Sequence, residues 1–186
     1  GFAAEVLASE VGRDREEVRR IQELFLSSSP KLRSELAVTG IHPDQLSERR
    51  ESLADHLPGE TSALLYPLPN LYFTRDLAAV IGQGLALCSM NNLARRREAT
   101  LMRLIAFNHP DFADAQVLYN NALYQMPLEG GDILVLSARA IAVGCSQRTN
   151  VHAVDYLARR LFSADSSYQS VLAIHIPASR AFMHLD

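Results

Sequence analysis

Residues 1–62 carry apolar positions at the spacing of an α-helix and few strand signals. Asp14 and Glu17 have the spacing of a capping box, which starts a helix. Apolar side chains follow on one face of that helix: Val18, Ile21, Leu24 and Phe25. Because prolines suit the first turn of a helix, the pattern predicts a second helix over residues 30–37 and a third over residues 43–59. We therefore predict a helical bundle over residues 1–62.

Residues 63–186 change to short β-type runs separated by turns, with single amphipathic helices between them. The run AAVIGQGLALC (78–88) is typical of a strand, a glycine turn and a second strand. RRREATLMRLIAFN (95–108) predicts a helix with an apolar face of Leu101, Leu104 and Ile105, and VLYN (117–120) predicts a third strand. The predicted order is ββαβ.

The same order recurs further along the chain. DILVLSARAIAVGC (132–145) predicts strand, turn and strand, NVHAVDYLARRLF (150–162) a helix, and SVLAIHI (170–176) a strand of the buried type. This is an internal structural repeat. Repeats that bury their faces against neighbours need more than two copies to close a ring. The pattern therefore predicts that the chain is a piece of a longer protein.

Composition narrows the class of protein. A chain with 48% hydrophobic and 21% charged residues is expected to be globular, and a net charge of −3 argues against nucleic acid or an anionic membrane as partner. Cys88 and Cys145 lack metal-type spacing, which favours a reducing, cytoplasmic setting. No run approaches the roughly 18 apolar residues that a membrane span needs.

Candidate chemistry lies in turns and at strand ends. Asp76 follows an aromatic stretch, and Glu129 precedes the glycine pair 130–131, which permits close approach of a ligand. His184 and Asp186 lie two positions apart, which in a strand places them on one face. Each residue alone also fits a structural role, so none by itself establishes a function.

Five segments in a fixed order carry more information: NLYFTRD (70–76), ARRRE (94–98), EGGD (129–132), VGCSQRT (143–149) and MHLD (183–186). Residues 70–186 resemble the arginine deiminase family, in which these segments occur in the same order and at the same separations. Residues 1–62 resemble the helical insertion of that family. The resemblance implies an α/β fold over residues 63–186, part of a five-bladed β/α propeller with about two of its ββαβ units present.

The resemblance also implies hydrolysis of free L-arginine to L-citrulline and ammonia through a covalent cysteine intermediate, without a cofactor or metal. Carboxylates pair with the N–H edges of a guanidinium and leave its carbon open to attack, while a histidine moves protons. By resemblance, the residues that act on the guanidinium are His184, Glu129, Asp76 and Asp186. Those that bind the rest of the substrate are Asn70, Phe73, Arg95 and Arg148.

The catalytic cysteine is where the chain departs from the family. The family places that residue near the C-terminus of the full protein, and both cysteines present here fall in strand contexts that favour core positions. We therefore expect a fragment that lacks the start and the C-terminal part of the enzyme and is inactive alone. The expected partner is L-arginine, and homo-oligomerisation is left open.

Two alternatives to an arginine deiminase stay open at this point, and a third possibility is that the helical section over residues 1–62 acts mainly as a partner-binding bundle. One is a related enzyme such as an agmatine deiminase or an amidinotransferase. Two arginines that bind a substrate carboxylate argue against agmatine as the substrate, because agmatine has no carboxylate. The other is a non-catalytic arginine-binding or regulatory module that kept the carboxylates and lost the cysteine.

Overall fold

The structure is a computed structural model that describes residues 15–42, 45, 63–163, 166–179 and 182–185. Asp14 of the predicted capping box and all residues of the predicted third helix except residue 45 lie outside the described residues. The chain divides into two compact units, Gly1–Pro69 and Asn70–Asp186. The predicted domain limit after residue 62 stays a prediction.

The first unit contains the first two predicted helices. Helix α1 spans Arg15–Ser27 and helix α2 spans Pro30–Thr39. Ile21 and Phe25, four residues apart on α1, are buried, as the helical spacing predicts. Ser29 caps α2, because its side chain accepts a hydrogen bond from the Leu32 N–H.

The second unit consists of the two predicted ββαβ repeats. The first repeat contains β1 (Ala78–Ile81), β2 (Gly84–Leu87), α3 (Arg96–Asn108) and β3 (Gln116–Asn120). The second contains β4 (Ile133–Ser137), β5 (Ala140–Cys145), α4 (Val151–Ser163) and β6 (Ser170–His175). Both the order of the elements and the α/β class are confirmed.

Each repeat forms a three-stranded mixed sheet, and in both sheets the second strand of the repeat lies in the middle. The hairpin partners β1 and β2, and likewise β4 and β5, pair antiparallel. The helix then returns the chain so that β3 runs parallel to β2, and β6 runs parallel to β5. A crossover through a helix is what a parallel pair requires.

The main core joins the two repeats. Leu118, Tyr119 and Leu128 of the first repeat and its following segment pack in one buried cluster with Leu157 and Leu161 of α4. Two hydrogen bonds between Ser89 and Leu128 connect the segment after β2 to the residue just before Glu129. The core therefore fixes the ends of the two sheets against each other, and the candidate residues lie at those ends.

Two burial predictions differ from the structure. The strand 170–176 is present, but its prediction as a buried type is wrong, because Leu172 is 51% exposed and Ile174 is 40% exposed. β6 is the last strand in the order β4-β5-β6, and the described residues cover little of it. In α3 the buried residues include Arg97, Glu98 and Ala99 at the start of the helix, whereas Ile105 on the predicted apolar face is half exposed. Glu98 is buried in an ion pair with Arg95.

None of the helices in the described part of the chain combines the length and the apolar character needed to cross a membrane.

Leu157 and Val151 of α4 offer a matched test of the core. Leu157 is fully buried, and Val151 is 57% exposed on the same helix. We expect Leu157→Ala to lower the free energy of unfolding by about 2–5 kcal/mol, since it leaves a cavity. Val151→Ala should change it by less than about 0.5 kcal/mol. Urea unfolding followed by circular dichroism measures both, and equal effects would contradict this assignment of the core.

Candidate active site

The candidate residues lie just before the first strand of each repeat. Asp76 is part of a one-turn 3-10 helix, Thr74–Leu77, that leads into β1. Glu129 stands immediately before a second 3-10 turn, Gly130–Asp132, that leads into β4. Both carboxylates are buried. The repeat therefore brings two acidic turns from distant parts of the sequence to the same end of the sheets.

His184 lies between these two carboxylates. Its Nε2 is 2.9 Å from Glu129 Oε2, and its Nδ1 is 3.7 Å from Asp76 Oδ1. Gly131 makes this position accessible, because a Cβ there would lie 2.7 Å from His184 Nδ1 and 3.1 Å from Asp76 Oδ1. The second glycine of the EGGD segment thus provides space for the imidazole.

Glu129 also pairs with Arg148. Arg148 Nη1 donates to Glu129 Oε2 at 3.2 Å, and the Asn91 N–H donates to Glu129 Oε1 at 3.1 Å. The Arg148 side chain is 32% exposed, whereas that of Glu129 is fully buried. Arg148 therefore presents part of its guanidinium to the surface while a buried carboxylate holds it.

Arg95 is held differently. Its Nη1 donates to Asp76 Oδ2 at 2.6 Å and its Nε to Glu98 Oε2 at 2.9 Å, and the side chain is only 4% exposed. Its Nη2 lies within hydrogen-bond distance of the carbonyl oxygens of Asn70 and Phe73. Most of its N–H groups are thus already used inside the protein.

A cavity of about 620 Å³ opens beside this cluster. The predicted site residues that line it are Asn70, Phe73, Asp76, Arg95, Arg148 and His184. Glu129 lies behind it, in contact with His184 and Arg148. The structure therefore brings together seven of the eight predicted residues, and Asp186 lies outside the described residues. Their roles stay predictions.

The charges of the cluster shift its pKa values. The hydrogen bond to Glu129 raises the pKa of His184 above 6.5, although burial opposes this, and Asp76 adds to the rise. Burial would raise the pKa of Glu129, but hydrogen bonds from His184, Asn91 and Arg148 bring it below 4.5. Together these shifts favour an imidazolium ion paired with a carboxylate.

Asp76, Glu129 and His184 also have donor atoms within 4.8 Å of one another, which is close enough to hold a metal ion. Both carboxylates, however, already pair with an arginine. A cation here would lie beside two positively charged guanidinium groups, which oppose its binding, so the donor set fits a metal poorly.

Neither cysteine is placed as a nucleophile. Cys88 is completely buried, and burial together with the nearby carboxylates of Glu129, Asp76 and Asp132 raises the pKa of its thiol. Burial and Asp132 raise the pKa of Cys145 as well. A reactive cysteine requires a thiolate, which a lowered pKa provides.

Two residues of the cluster have no predicted role. Glu98 is fully buried, binds Arg95 and accepts a hydrogen bond from the Asn70 N–H at 3.0 Å. Asp132 is fully buried beside Gly144. Both lie inside the quoted segments ARRRE and EGGD, so the segments contained the signal, but the sequence does not show which carboxylate becomes buried.

Comparison with known proteins identifies the family to which these segments belong. The family model for arginine deiminase matches residues 2–186. The chain belongs to the arginine deiminase family. Arginine deiminase of Bacillus cytotoxicus is 45% identical over 147 residues, which cover 78% of this chain and 35% of that protein. Arginine deiminase of Bacillus cereus strain B4264 is 41% identical over 172 residues, covering 89% of this chain and 41% of that protein.

The family member described here thus spans between 35% and 41% of the length of these two curated relatives. Among solved structures, a mutant of DDAH from Pseudomonas aeruginosa, complexed with citrulline, is similar at 16% identity and a TM-score of 0.48. That match covers 63% of this chain and 42% of the DDAH chain.

The titration of His184 tests its pairing with Glu129. The pKa of His184 is raised, so its stabilising effect is complete below 6.5 and is lost as pH rises through the folded-state pKa. The pKa of Glu129 is lowered, so its effect is complete above 4.5 and is lost as pH falls through its folded-state pKa. We expect Glu129→Gln to lower the His184 pKa in an NMR titration. The decrease in the free energy of unfolding caused by this variant should be greatest between pH 4.5 and pH 6.5. An unchanged His184 pKa would contradict the pairing.

Gly131→Ala tests the space under the imidazole. The added Cβ would overlap His184, so the ring should move away from Glu129 and its pKa should fall toward the ordinary value. Gly84→Ala is the matched control, since its Cβ would meet the Leu118 side chain instead. The control should lower stability without changing the His184 titration. If both variants leave that titration unchanged, Gly131 is not needed to place the ring.

Proposed function

We propose that the protein is an arginine deiminase that hydrolyses free L-arginine to L-citrulline and ammonia. The observation that carries this proposal is the imidazole of His184 held between the carboxylates of Asp76 and Glu129 beside a cavity of about 620 Å³. Membership of the arginine deiminase family supports the proposal. The expected substrate is a small molecule with a planar, cationic group.

The carboxylates are proposed to hold the substrate guanidinium. A guanidinium presents its N–H groups in one plane, so two carboxylates along its edges fix its orientation and leave its carbon open from above. Asp76 lines the cavity and is the acid best placed for this role. Asp186 is proposed as the second carboxylate, and Glu129 supports both His184 and the substrate.

His184 is proposed to move the protons. A thiolate, which in this family a cysteine supplies, attacks the guanidinium carbon and forms a C–S bond. The C–N bond then breaks, and the imidazolium of His184 gives its proton to the departing ammonia. Neutral His184 next takes one proton from water as the water oxygen bonds to the carbon. The C–S bond then breaks and releases the thiolate, and the second proton of the water passes to ammonia, which leaves citrulline and ammonium. The raised pKa of His184 favours the protonated form with which this sequence starts.

Arg148 is proposed to bind the α-carboxylate of the substrate. Its guanidinium is partly exposed and lines the cavity, and one of its nitrogens is tied to Glu129. Arg95 and Asn70 are proposed to assist. Arg95 already donates to two carboxylates and two carbonyl oxygens, so it has less capacity for a new partner. Phe73 is proposed to line the path to the surface, where it is 56% exposed.

A polypeptide of these 186 residues alone is proposed to be inactive. Its two cysteines have raised pKa values and lie in or beside strands, which is unsuitable for a nucleophile. Further features of the whole protein are also proposals: a five-bladed propeller, a helical insertion over residues 1–62, a cytoplasmic location and a homo-oligomeric state. The identical strand order of the two repeats supports the propeller.

The product of the complete gene tests this function. We expect citrulline from L-arginine and far less product from agmatine, because agmatine has no carboxylate for Arg148. His184→Gln should lower kcat by at least about 100-fold, since general acid–base catalysis contributes at least that much. His175→Gln, which changes an exposed histidine at the end of β6, is the matched control and should keep wild-type activity.

Three other results would each overturn the proposal in a different way. Faster reaction with agmatine would indicate an agmatine deiminase. Transfer of the amidino group to an amine would indicate an amidinotransferase. Arginine binding without any turnover would indicate a binding module.

A further inference from the structure

Asp132 is a buried carboxylate that the chemistry proposed above does not use. It ends the 3-10 turn Gly130–Asp132, three residues after Glu129, and it is fully buried. Its Oδ1 has no hydrogen-bond partner among the described residues. A buried carboxylate with an unpartnered oxygen is costly, so its retention requires an explanation.

The other carboxylate oxygen of Asp132 is bound to the turn that carries Arg148. Ser146 Oγ donates to Asp132 Oδ2 at 3.2 Å and also accepts from the Arg148 N–H at 3.0 Å. One hydroxyl group therefore connects the buried carboxylate to the backbone of Arg148. Since a serine hydroxyl has a single proton, donation to Asp132 leaves its lone pairs for the arginine N–H.

The far end of the same turn is tied to Glu129. The Ser146 N–H donates to the Thr149 carbonyl oxygen at 3.1 Å, which closes the turn 146–149. Thr149 Oγ1 accepts from the Glu129 N–H at 3.1 Å, and Thr149 is almost completely buried. Burial raises the pKa of Asp132, and the side chains of Thr149 and Ser146 oppose that rise. Asp132 thus holds the first residue of the turn through Ser146, and the turn itself is closed by the bond from Ser146 to Thr149.

Gly144 makes room for this arrangement. A Cβ at this position would lie 2.5 Å from Asp132 Oδ1. The strand β5 therefore approaches the carboxylate closely, just before the chain enters the turn at Ser146.

We propose that Asp132 is a positioning residue that fixes the turn 146–149 and so sets the place of the Arg148 guanidinium at the cavity. This inference rests on the proposed function, because it gives Arg148 the α-carboxylate of the substrate as its ligand. Asp132 itself touches no substrate. By placing Arg148, Asp132 favours the binding of L-arginine over agmatine, the corresponding amine without a carboxylate.

The experiment compares Asp132→Asn with wild type in the product of the complete gene. The asparagine side chain has no negative charge, so the charge-assisted hydrogen bond from Ser146 becomes a weaker bond between neutral groups. We expect the KM for L-arginine to rise by about 10- to 100-fold, the range that misplacement of a binding group produces. The kcat at saturation and the inhibition constant of agmatine should change by less than about 3-fold, because neither depends on binding a carboxylate.

Two further variants complete the test. Ser146→Ala removes the bridging hydroxyl and should also raise the KM for L-arginine. The double variant should have a KM no higher than that of Asp132→Asn alone, since both changes break the same connection. This keeps the inference testable if Asp132→Asn does not fold. Asp114→Asn, which makes the same chemical change at an exposed residue, is the matched control and should match wild type.

Each outcome distinguishes this inference from the proposed function. If the wild-type protein forms no citrulline, the proposed function fails. If wild type is active and either variant weakens the binding of L-arginine and of agmatine equally, the positioning role is wrong and Asp132 serves general stability. A KM for L-arginine unchanged in both variants would also overturn the inference.

Discussion

The buried guanidinium of Arg95 ties the turn before β1 to the start of α3. Removing a charge from water is expensive, and the loss is recovered only when the group is fully paired. Arg95 meets this condition through Asp76, Glu98 and two backbone carbonyl oxygens. These bonds fix Asp76, which in turn fixes one side of His184. The geometry of the cavity therefore depends on a network of ion pairs and hydrogen bonds that connects Glu98 with Asp76 and with Asn70, 28 residues earlier in the sequence.

The second repeat provides an equivalent support from different residues. Glu129 is held by the Asn91 N–H and by Arg148, and its own N–H donates to Thr149. Arg95 is closed off from solvent, while Arg148 is partly open to it. The two arginines thus differ in what they can do, although the sequence gives both the same residue type. Arg95 is enclosed by its partners, whereas part of the Arg148 guanidinium lies at the surface.

Local pattern predicted the elements well, because glycine turns and β-type runs identify strands without knowledge of their neighbours. The hairpins 78–87 and 133–145 and helix α4 are examples. Burial was less predictable: β6 has an apolar sequence, yet its position at the end of a sheet leaves it exposed. The residues of the site could be predicted because the segments match a family. The pairing of Arg95 with Asp76 could not, since it depends on how the turn before β1 meets α3.

The charge balance of the site limits how it can work. In the ion pairs of the site, the carboxylates of Asp76, Glu98 and Glu129 face the guanidinium groups of Arg95 and Arg148, so one carboxylate charge remains for protonated His184, and buried Asp132 also raises the pKa of that imidazole. A substrate guanidinium in contact with Asp76 would bring another positive charge close to the imidazolium. Like charges disfavour one another, so the bound substrate lowers the pKa of His184. On the proposed mechanism, binding therefore prepares His184 to give up its proton, and the carboxylates that attract the substrate also control the acid that acts on it.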